Sequence, residues 1–182
     1  MGSRRIGLVC GVWVFLLLVA MSSVVLNVQV VRGSGTIYIR ADGSIDPPTA
    51  PIQRDGDVYT FADNIYDSIV VERDNIVVDG EGYTVQGAEA GTGIDLTGRS
   101  NVTVTNMEIK NFGEYGIYLT GSSNNNISGN KITNNGHGIR LVYSSGNSVN
   151  GNNIADNWIG IEGFQSPQNS IVGNTLTRNF DG

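Results

Sequence analysis

Four residues suited to ligand binding, Asp95, Tyr118, Arg140 and Glu162, recur at a nearly constant spacing of about 22 residues. Carboxylates, a phenol and a guanidinium together supply the hydrogen-bond donors and acceptors that recognise a hydroxyl-rich ligand such as a saccharide. If the spacing stacks these side chains on one surface, they form a candidate saccharide-binding strip. The same alternation of charge also suits solvated ion pairs between neighbouring strands.

Trp158 and Phe180 share this spacing. Two aromatic rings stacked on a turn can hold a sugar ring. They can equally pack against each other on the solvent side and brace the turn. Both residues are therefore candidates for substrate binding, with the brace as the competing interpretation.

No catalytic residue is predicted. Glycosidases need a pair of carboxylates on one face, and a calcium-dependent lyase needs several oxygen ligands close together. The acids instead alternate with bases at the repeat spacing, as Glu108 does with Lys131 and Asp156 with Arg178. This alternation indicates cross-strand ion pairs. An enzyme would have to place its active site beyond Gly182.

No metal site and no cofactor are predicted either. Copper requires imidazole or sulfur ligands, and after residue 33 the chain offers only Met107 and His137 and no cysteine. The two residues fall at different positions of the repeat, so they are not expected to meet. We expect His137 to be an exposed histidine in a turn.

Pairs of asparagines five residues apart mark an internal repeat. The pairs recur with a constant period: Asn125 and Asn130, Asn147 and Asn152, Asn169 and Asn174. Asn101 and Asn106 keep the same gap one coil before the first pair. A carboxamide both donates and accepts hydrogen bonds, so the column Asn130, Asn152 and Asn174 is expected to form a ladder from coil to coil.

The repeat predicts a right-handed parallel β-helix, an all-β solenoid with coils of about 22 residues. Short β-branched alternations indicate strands with one buried face, and the glycines and asparagines between them indicate turns. Residues 34–72 lack the repeat and are interpreted as an N-terminal cap with a first irregular coil. Residues 73–182 are interpreted as the repeats, truncated at the C-terminus because nothing resembling a cap closes the last coil.

Residues 1–33 are interpreted as a signal peptide or a membrane anchor. Arg4 and Arg5 precede an apolar run over 6–26, which is long enough to cross a bilayer. Either interpretation places residues 34–182 outside the cytoplasm, with membrane contact only through 6–26 if the segment is uncleaved. Asn101 and Asn126 open glycosylation sequons, which suit an exported surface protein.

The charge balance argues against two classes of partner. Removing Arg4, Arg5 and Arg32 from the 11 basic residues leaves 8 against 17 acidic ones, a net charge of −9 for residues 34–182. Nucleic acids and anionic membrane surfaces both attract clustered lysine and arginine. Neither is an expected partner, whereas a polysaccharide or a cell-envelope glycan remains compatible.

The repeat residues resemble a known family. The segment 126–132, Asn-Ile-Ser-Gly-Asn-Lys-Ile, followed by Gly-Ile-Arg-Leu at 138–141, is similar to the β-helix repeat of NosD-like proteins, within the carbohydrate-binding and sugar-hydrolase β-helix class. Residues 75–85 resemble the opening coil of such proteins. The resemblance implies the parallel β-helix fold over 36–182. It implies three functions: periplasmic copper-site maturation, action on polysaccharides as a lyase, epimerase or hydrolase, or a non-catalytic surface role.

The residues favour an exported, non-catalytic scaffold on the cell surface or secreted, in contact with carbohydrate. The first alternative is the N-terminal part of a polysaccharide lyase, epimerase or hydrolase. The second alternative is a NosD-type copper-maturation protein, which the shortage of copper ligands disfavours.

Overall fold

A computed structural model of the chain describes residues 35–181, and the predicted signal or anchor segment lies outside them. No helix within 35–181 is both long and apolar enough to span a bilayer. The described residues form short strands joined by turns. The strands are β1 (Thr36–Ile39), β2 (Ile45–Asp46), β3 (Ile52–Asp55), β4 (Val58–Phe61), β5 (Ser68–Val71), β6 (Val77–Asp79), β7 (Thr84–Gln86), β8 (Thr92–Asp95), β9 (Thr103–Thr105), β10 (Glu108–Lys110), β11 (Tyr115–Thr120), β12 (Asn126–Ser128), β13 (Lys131–Thr133), β14 (His137–Val142), β15 (Ser148–Asn150), β16 (Asn153–Ala155), β17 (Ile159–Phe164), β18 (Ser170–Val172) and β19 (Thr175–Thr177).

These strands stack into three sheets, and each regular coil of the chain contributes one strand to each sheet. Sheet A has the order β2-β1-β5-β8-β11-β14-β17, sheet B the order β3-β4-β6-β9-β12-β15-β18, and sheet C the order β7-β10-β13-β16-β19. From β5 onward the neighbours are parallel, and Ile117, Ile139 and Ile161 lie in register in successive coils. The predicted parallel β-helix is confirmed, and connections of this type are almost always right-handed.

The core is a set of aliphatic columns that run along the solenoid. Three of them carry one residue per coil: Ile94, Ile117, Ile139 and Ile161 in sheet A; Val104, Ile127, Val149 and Ile171 in sheet B; Ile109, Ile132, Ile154 and Leu176 in sheet C. Stacking buries these side chains fully in the inner coils, and each contributes about 1.5–3 kcal/mol. In the last described coil, Ile171 and Leu176 are 48% and 39% exposed.

The first coil joins the solenoid although its sequence lacks the repeat. β1 pairs in parallel with β5, with Thr36 opposite Ser68. This offset is longer than in the later coils because the proline-containing segment between the two strands adds length. β2 and β3 pair antiparallel with β1 and β4. They occupy the edges of sheets A and B at the end that was assigned to the N-terminal cap.

Asparagine side chains form ladders inside the turns. Asn152 is typical: its Oδ1 accepts from the backbone N–H of Asn130 at 3.0 Å and from Asn130 Nδ2 at 3.1 Å. Its Nδ2 donates to Asn174 Oδ1 and to the carbonyl of Ile127, both at 2.9 Å. Three such columns exist in the described coils: Asn125, Asn147 and Asn169; Asn130, Asn152 and Asn174; Asn135, Asn157 and Asn179. The third was not predicted, although its members keep the same spacing.

Asn101 and Asn106 keep the five-residue gap of the later pairs but lie one residue outside their columns. The positions equivalent to Asn125 and Asn130 are Val102 and Met107, whose backbone N–H groups donate to the two asparagine oxygens at 2.9 and 3.3 Å. Asn101 and Asn106 instead occupy left-handed turn positions, with φ of 56° and 54°. Asparagine is one of the few residues that tolerate this conformation, so turn geometry rather than a ladder explains their spacing.

Candidate functional site

Sheet A offers the broadest outer face of the solenoid. Its strands β11, β14 and β17 have six residues each, whereas the matching strands of sheets B and C have three. A six-residue strand presents three outward positions, so side chains can lie beside each other as well as above each other. This face carries most of the residues that the sequence marked for binding.

The predicted strip lies in register on this face. Asp95 pairs with Tyr118, Tyr118 with Arg140, and Arg140 with Glu162. Asp95 is turned towards its own strand end, because its Oδ1 accepts hydrogen bonds from the backbone N–H and the hydroxyl of Thr97. Tyr118, Arg140 and Glu162 are therefore the members of the strip that belong to a shared cluster.

Two further residues complete this cluster. The Tyr115 ring stacks on the Tyr118 ring, with centroids 4.6 Å apart and planes at 15°. Arg140 Nη1 donates to the Tyr115 hydroxyl at 3.4 Å. The His137 ring lies 5.3 Å from the Tyr115 ring, and its Nε2 is 2.9 Å from Glu162 Oε2. We call these five residues the face cluster.

The expectation that His137 is an exposed turn residue was wrong. His137 begins β14, and only 19% of its side chain is exposed. The strand has an irregularity that the sequence pattern did not show: its second and third residues are both buried, so the in–out alternation shifts by one. The second residue is Gly116 in β11, where a Cβ would lie 2.6 Å from the carbonyl oxygen of Gly138. Tyr115 and Tyr118 therefore both point outward although they are three residues apart.

The charged members of the face cluster are held close together without a directed hydrogen bond between them. Arg140 Nε lies 3.4 Å from Glu162 Oε2, and His137 Nε2 lies 2.9 Å from the same oxygen. Arg140 Nε and Glu162 Oε2 are shielded from solvent, and neither contact has the angles of a well-directed hydrogen bond. The side chains as a whole remain 27% and 33% exposed. Other atoms of both groups are therefore accessible to a ligand, beside the edges of two stacked phenol rings.

Trp158 and Phe180 lie at the corner between sheets C and A, one residue before the outward column that contains His137. Their rings stack with centroids 4.2 Å apart and planes at 13°. Both are well exposed, at 59% and 74%. The structure thus brings this predicted pair together directly.

The two cross-coil ion pairs expected from the repeat, Glu108 with Lys131 and Asp156 with Arg178, lie on sheet C and its turn. Glu108 receives a hydrogen bond from Lys131 at 2.8 Å and another from Lys110 at 3.1 Å. These two ammonium groups, Lys131 foremost, lower the pKa of Glu108 below its ordinary value. Arg178 binds Asp156 through two contacts of 2.6 and 2.7 Å, which lower the pKa of Asp156.

The two sequons lie in different environments. Asn101 is exposed in its turn and donates to Asn75 Oδ1 at 3.0 Å. Asn126 is half-buried in β12, where its side chain contacts Ser128 and Asn150. Asn101 is the more accessible of the two.

A solenoid of parallel sheets with a polar and aromatic outer face defines a β-helix protein. The fold is similar to the A-module of the mannuronan C-5 epimerase AlgE4 from Azotobacter vinelandii, with a TM-score of 0.58 and 18% sequence identity. The match covers 68% of this chain and 41% of that one. The chain thus spans less than half of its structural neighbour, and identity at this level concerns the fold alone.

The sequence belongs to the family described as periplasmic copper-binding protein (NosD), whose model matches residues 31–181. This assignment agrees with the resemblance carried by the asparagine repeats. No curated protein matches the sequence.

The described residues do not fit a copper site. Met107 is buried in the core at 3% exposure, and His137 is occupied by Glu162 and Tyr115. Within residues 35–181 no three histidine, cysteine, aspartate or glutamate side chains group so that they could hold a metal ion. Copper prefers imidazole and sulfur donors, and this part of the chain does not assemble them.

Proposed function

We propose that this protein is an extracytoplasmic β-helix scaffold whose sheet A face binds a saccharide of the cell envelope. The observation that carries the proposal is the face cluster. It places a guanidinium, a carboxylate and an imidazole against two stacked tyrosines on the broadest outer surface of the described residues. Saccharide sites combine aromatic surface with a few fixed polar groups in the same way.

Each group in the cluster has a role suited to a hydroxyl-rich ligand. Arg140 is oriented by the Tyr115 hydroxyl on one side and by Glu162 on the other. A guanidinium donates and a carboxylate accepts, so neighbouring hydroxyls of one sugar can bind both. Both side chains remain partly exposed, at 27% and 33%, so ligand hydroxyls can bind their outer atoms without breaking the Arg140–Glu162 contact.

The location in the proposal rests on two observations. The family description is periplasmic, and the N-terminal segment has the charge and length of an export signal or anchor. An acidic exterior agrees with a role outside the cytoplasm and away from nucleic acid.

The proposal can be tested with a panel of neutral and acidic polysaccharides in affinity electrophoresis and calorimetry, using the full chain. Arg140→Ala removes the central donor and should weaken binding by at least about tenfold, since a hydrogen bond to a charged group contributes about 1.5–3 kcal/mol. Lys131→Ala is the matched control, because Lys131 is a cation on sheet C rather than on the face. If Arg140→Ala and Lys131→Ala bound the polysaccharide with equal affinity, the face cluster would not be the binding site.

An enzyme acting on polysaccharides is the second candidate. The observation in its favour is that Tyr115 and His137, two side chains suited to proton transfer, lie beside Arg140. The structural neighbour is named as an epimerase, which makes acidic polysaccharides the natural substrates to try. Incubation with polymannuronate, followed by proton NMR of the sugar ring, would show inverted or unsaturated residues, and His137→Gln should abolish them.

A further inference from the structure

A groove lies at the corner between sheets C and A, along the coils that precede Trp158. Its volume is about 430 Å³, and its wall is formed mainly by Glu89, Asn111, Gly113, Asn134, Gly136 and Asp156. Trp158 stands one coil above Gly136, since its backbone N–H bonds to the carbonyl of Asn135. We call this feature the corner groove.

The indole of Trp158 has one face covered and one face directed at the corner groove. Phe180, from the following coil, stacks on the first face at 4.2 Å with nearly parallel planes. Stacking between successive coils sets the ring planes across the solenoid axis. The second face therefore points towards the preceding coil, where the equivalent residue, Gly136, has no side chain to stack on it.

The backbone itself keeps this position bare. A Cβ on Gly136 would lie 2.4 Å from the carbonyl oxygen of Gly113 and 2.5 Å from that of Glu114. Real Cβ atoms do not approach backbone that closely, so glycine is required there. The space of one coil, about 4.8 Å, is consequently left open below the indole.

The rim of the corner groove is polar and favours an uncharged ligand. Asn111 and Asn134 sit in left-handed turn positions, with φ of 61° and 56°, and present carboxamides. Glu89 and Asp156 present carboxylates. Arg178 contacts this rim through Asp156 and binds both of its carboxylate oxygens. Amides and carboxylates bind sugar hydroxyls, whereas the carboxylates repel a uronate.

We propose that the corner groove holds the ring of a neutral sugar, stacked on the free face of Trp158. The inference rests on the proposed saccharide binding and assigns the sugar class and a second contact to it. Trp158 precedes Glu162 by four residues, about 13 Å along the strand. An oligosaccharide that crosses the face from the corner groove to the face cluster therefore reaches both.

Trp158 supplies a direct reporter of this contact. The full chain has two tryptophans, Trp13 and Trp158, so Trp13→Phe leaves the corner residue as the sole source of indole emission. Neutral oligosaccharides, for example from mannan and cellulose, should shift this emission with the same midpoint as calorimetric binding. Polymannuronate oligomers of equal length should bind at least about tenfold more weakly.

The variant series separates the two proposals. Trp158→Ala should weaken binding of the neutral oligosaccharide by about 30-fold, the usual effect of removing an aromatic anchor. Tyr143→Ala is the matched control, because Tyr143 is equally exposed, at 60%, and also pairs with an aromatic residue, Phe164. This control should stay within about twofold of wild type.

Three results would overturn the inference. Calorimetric binding with unchanged emission, and with Trp158→Ala equal to Tyr143→Ala, would exclude the corner groove while leaving the face cluster as the site. Equal or tighter binding of polymannuronate would refute the neutral class. Absence of calorimetric binding across the whole panel would refute both the site and the proposed function.

Discussion

The asparagine ladder predicts a large and specific loss of stability in Asn152→Ala. The Asn152 side chain is 1% exposed and takes part in four hydrogen bonds, two through Oδ1 to Asn130 and two through Nδ2 to Asn174 and Ile127. At about 1 kcal/mol for each bond, the free energy of unfolding should fall by about 4 kcal/mol. Alanine leaves the groups of Asn130 and Ile127 buried without these partners, which adds to the loss.

The neighbouring residue provides the control. Asn153 has the same side chain, lies in the same turn-to-strand segment and is exposed. Asn153→Ala should change the free energy of unfolding by no more than about 0.5 kcal/mol, as surface substitutions usually do. Urea unfolding followed by far-ultraviolet circular dichroism gives both values, provided that the m-values of the variants agree with wild type.

Two outcomes would refute the reasoning about the ladder. One is a loss in Asn152→Ala that matches the loss in Asn153→Ala. The other is full stability in Asn152→Asp at neutral pH, because an ionised carboxylate cannot donate to Asn174 or to the Ile127 carbonyl. Burial disfavours the charged form of that carboxyl, so this variant should instead lose stability as the pH rises through the acidic range.

Two further predictions concern charge and backbone packing. The pKa of Glu108 is lowered by Lys131 and Lys110, so its stabilisation is present above the ordinary glutamate pKa and is lost as the pH falls. The stability difference between wild type and Glu108→Gln should therefore be about 1 kcal/mol at pH 7 and shrink below about pH 4 in urea titrations; a constant difference would contradict this. Gly136→Ala should lower the free energy of unfolding by about 1–3 kcal/mol, because the added Cβ would clash with backbone atoms. The loss should appear as a lower midpoint of thermal unfolding. Gly163→Ala is the control and should match wild type, because a Cβ there has nothing within 4 Å.

The interior of the solenoid could be predicted from sequence because stacking converts spacing into contact. Once coils repeat at a constant length, an aliphatic residue at one position must meet its counterpart in the next coil. Ile132 and Ile154, which are 22 residues apart, pair for this reason. Spacing alone is insufficient where coil length changes: the coil before Asn125 has one more residue, so Val102 and not Asn101 lies in the column of Asn125.

The face cluster could be predicted only in part. The spacing identified the column of Tyr118, Arg140 and Glu162, but it could not show that Asp95 turns away towards Thr97. Strict alternation from Tyr118 would point Tyr115 inward, whereas two consecutive buried residues, Gly116 and Ile117, place it on the outer face. The repeat spacing identifies residues that stack on each other in successive coils. Which residues lie side by side within one strand depends on local irregularities of the backbone, which the spacing does not show.

The contrast between inward and outward residues also explains why the family match carries little information about ligands. The residues that define the repeat, the stacked aliphatics and the asparagine ladders, all point into the solenoid or into its turns. Substituting them costs stability, so the repeat residues report the fold of this chain and not its ligand. The outward columns are free of this packing constraint. For this chain those columns hold tyrosines, an Arg–Glu–His cluster with a single imidazole, and a stacked Trp158–Phe180 pair. The function of this chain must be inferred from that surface.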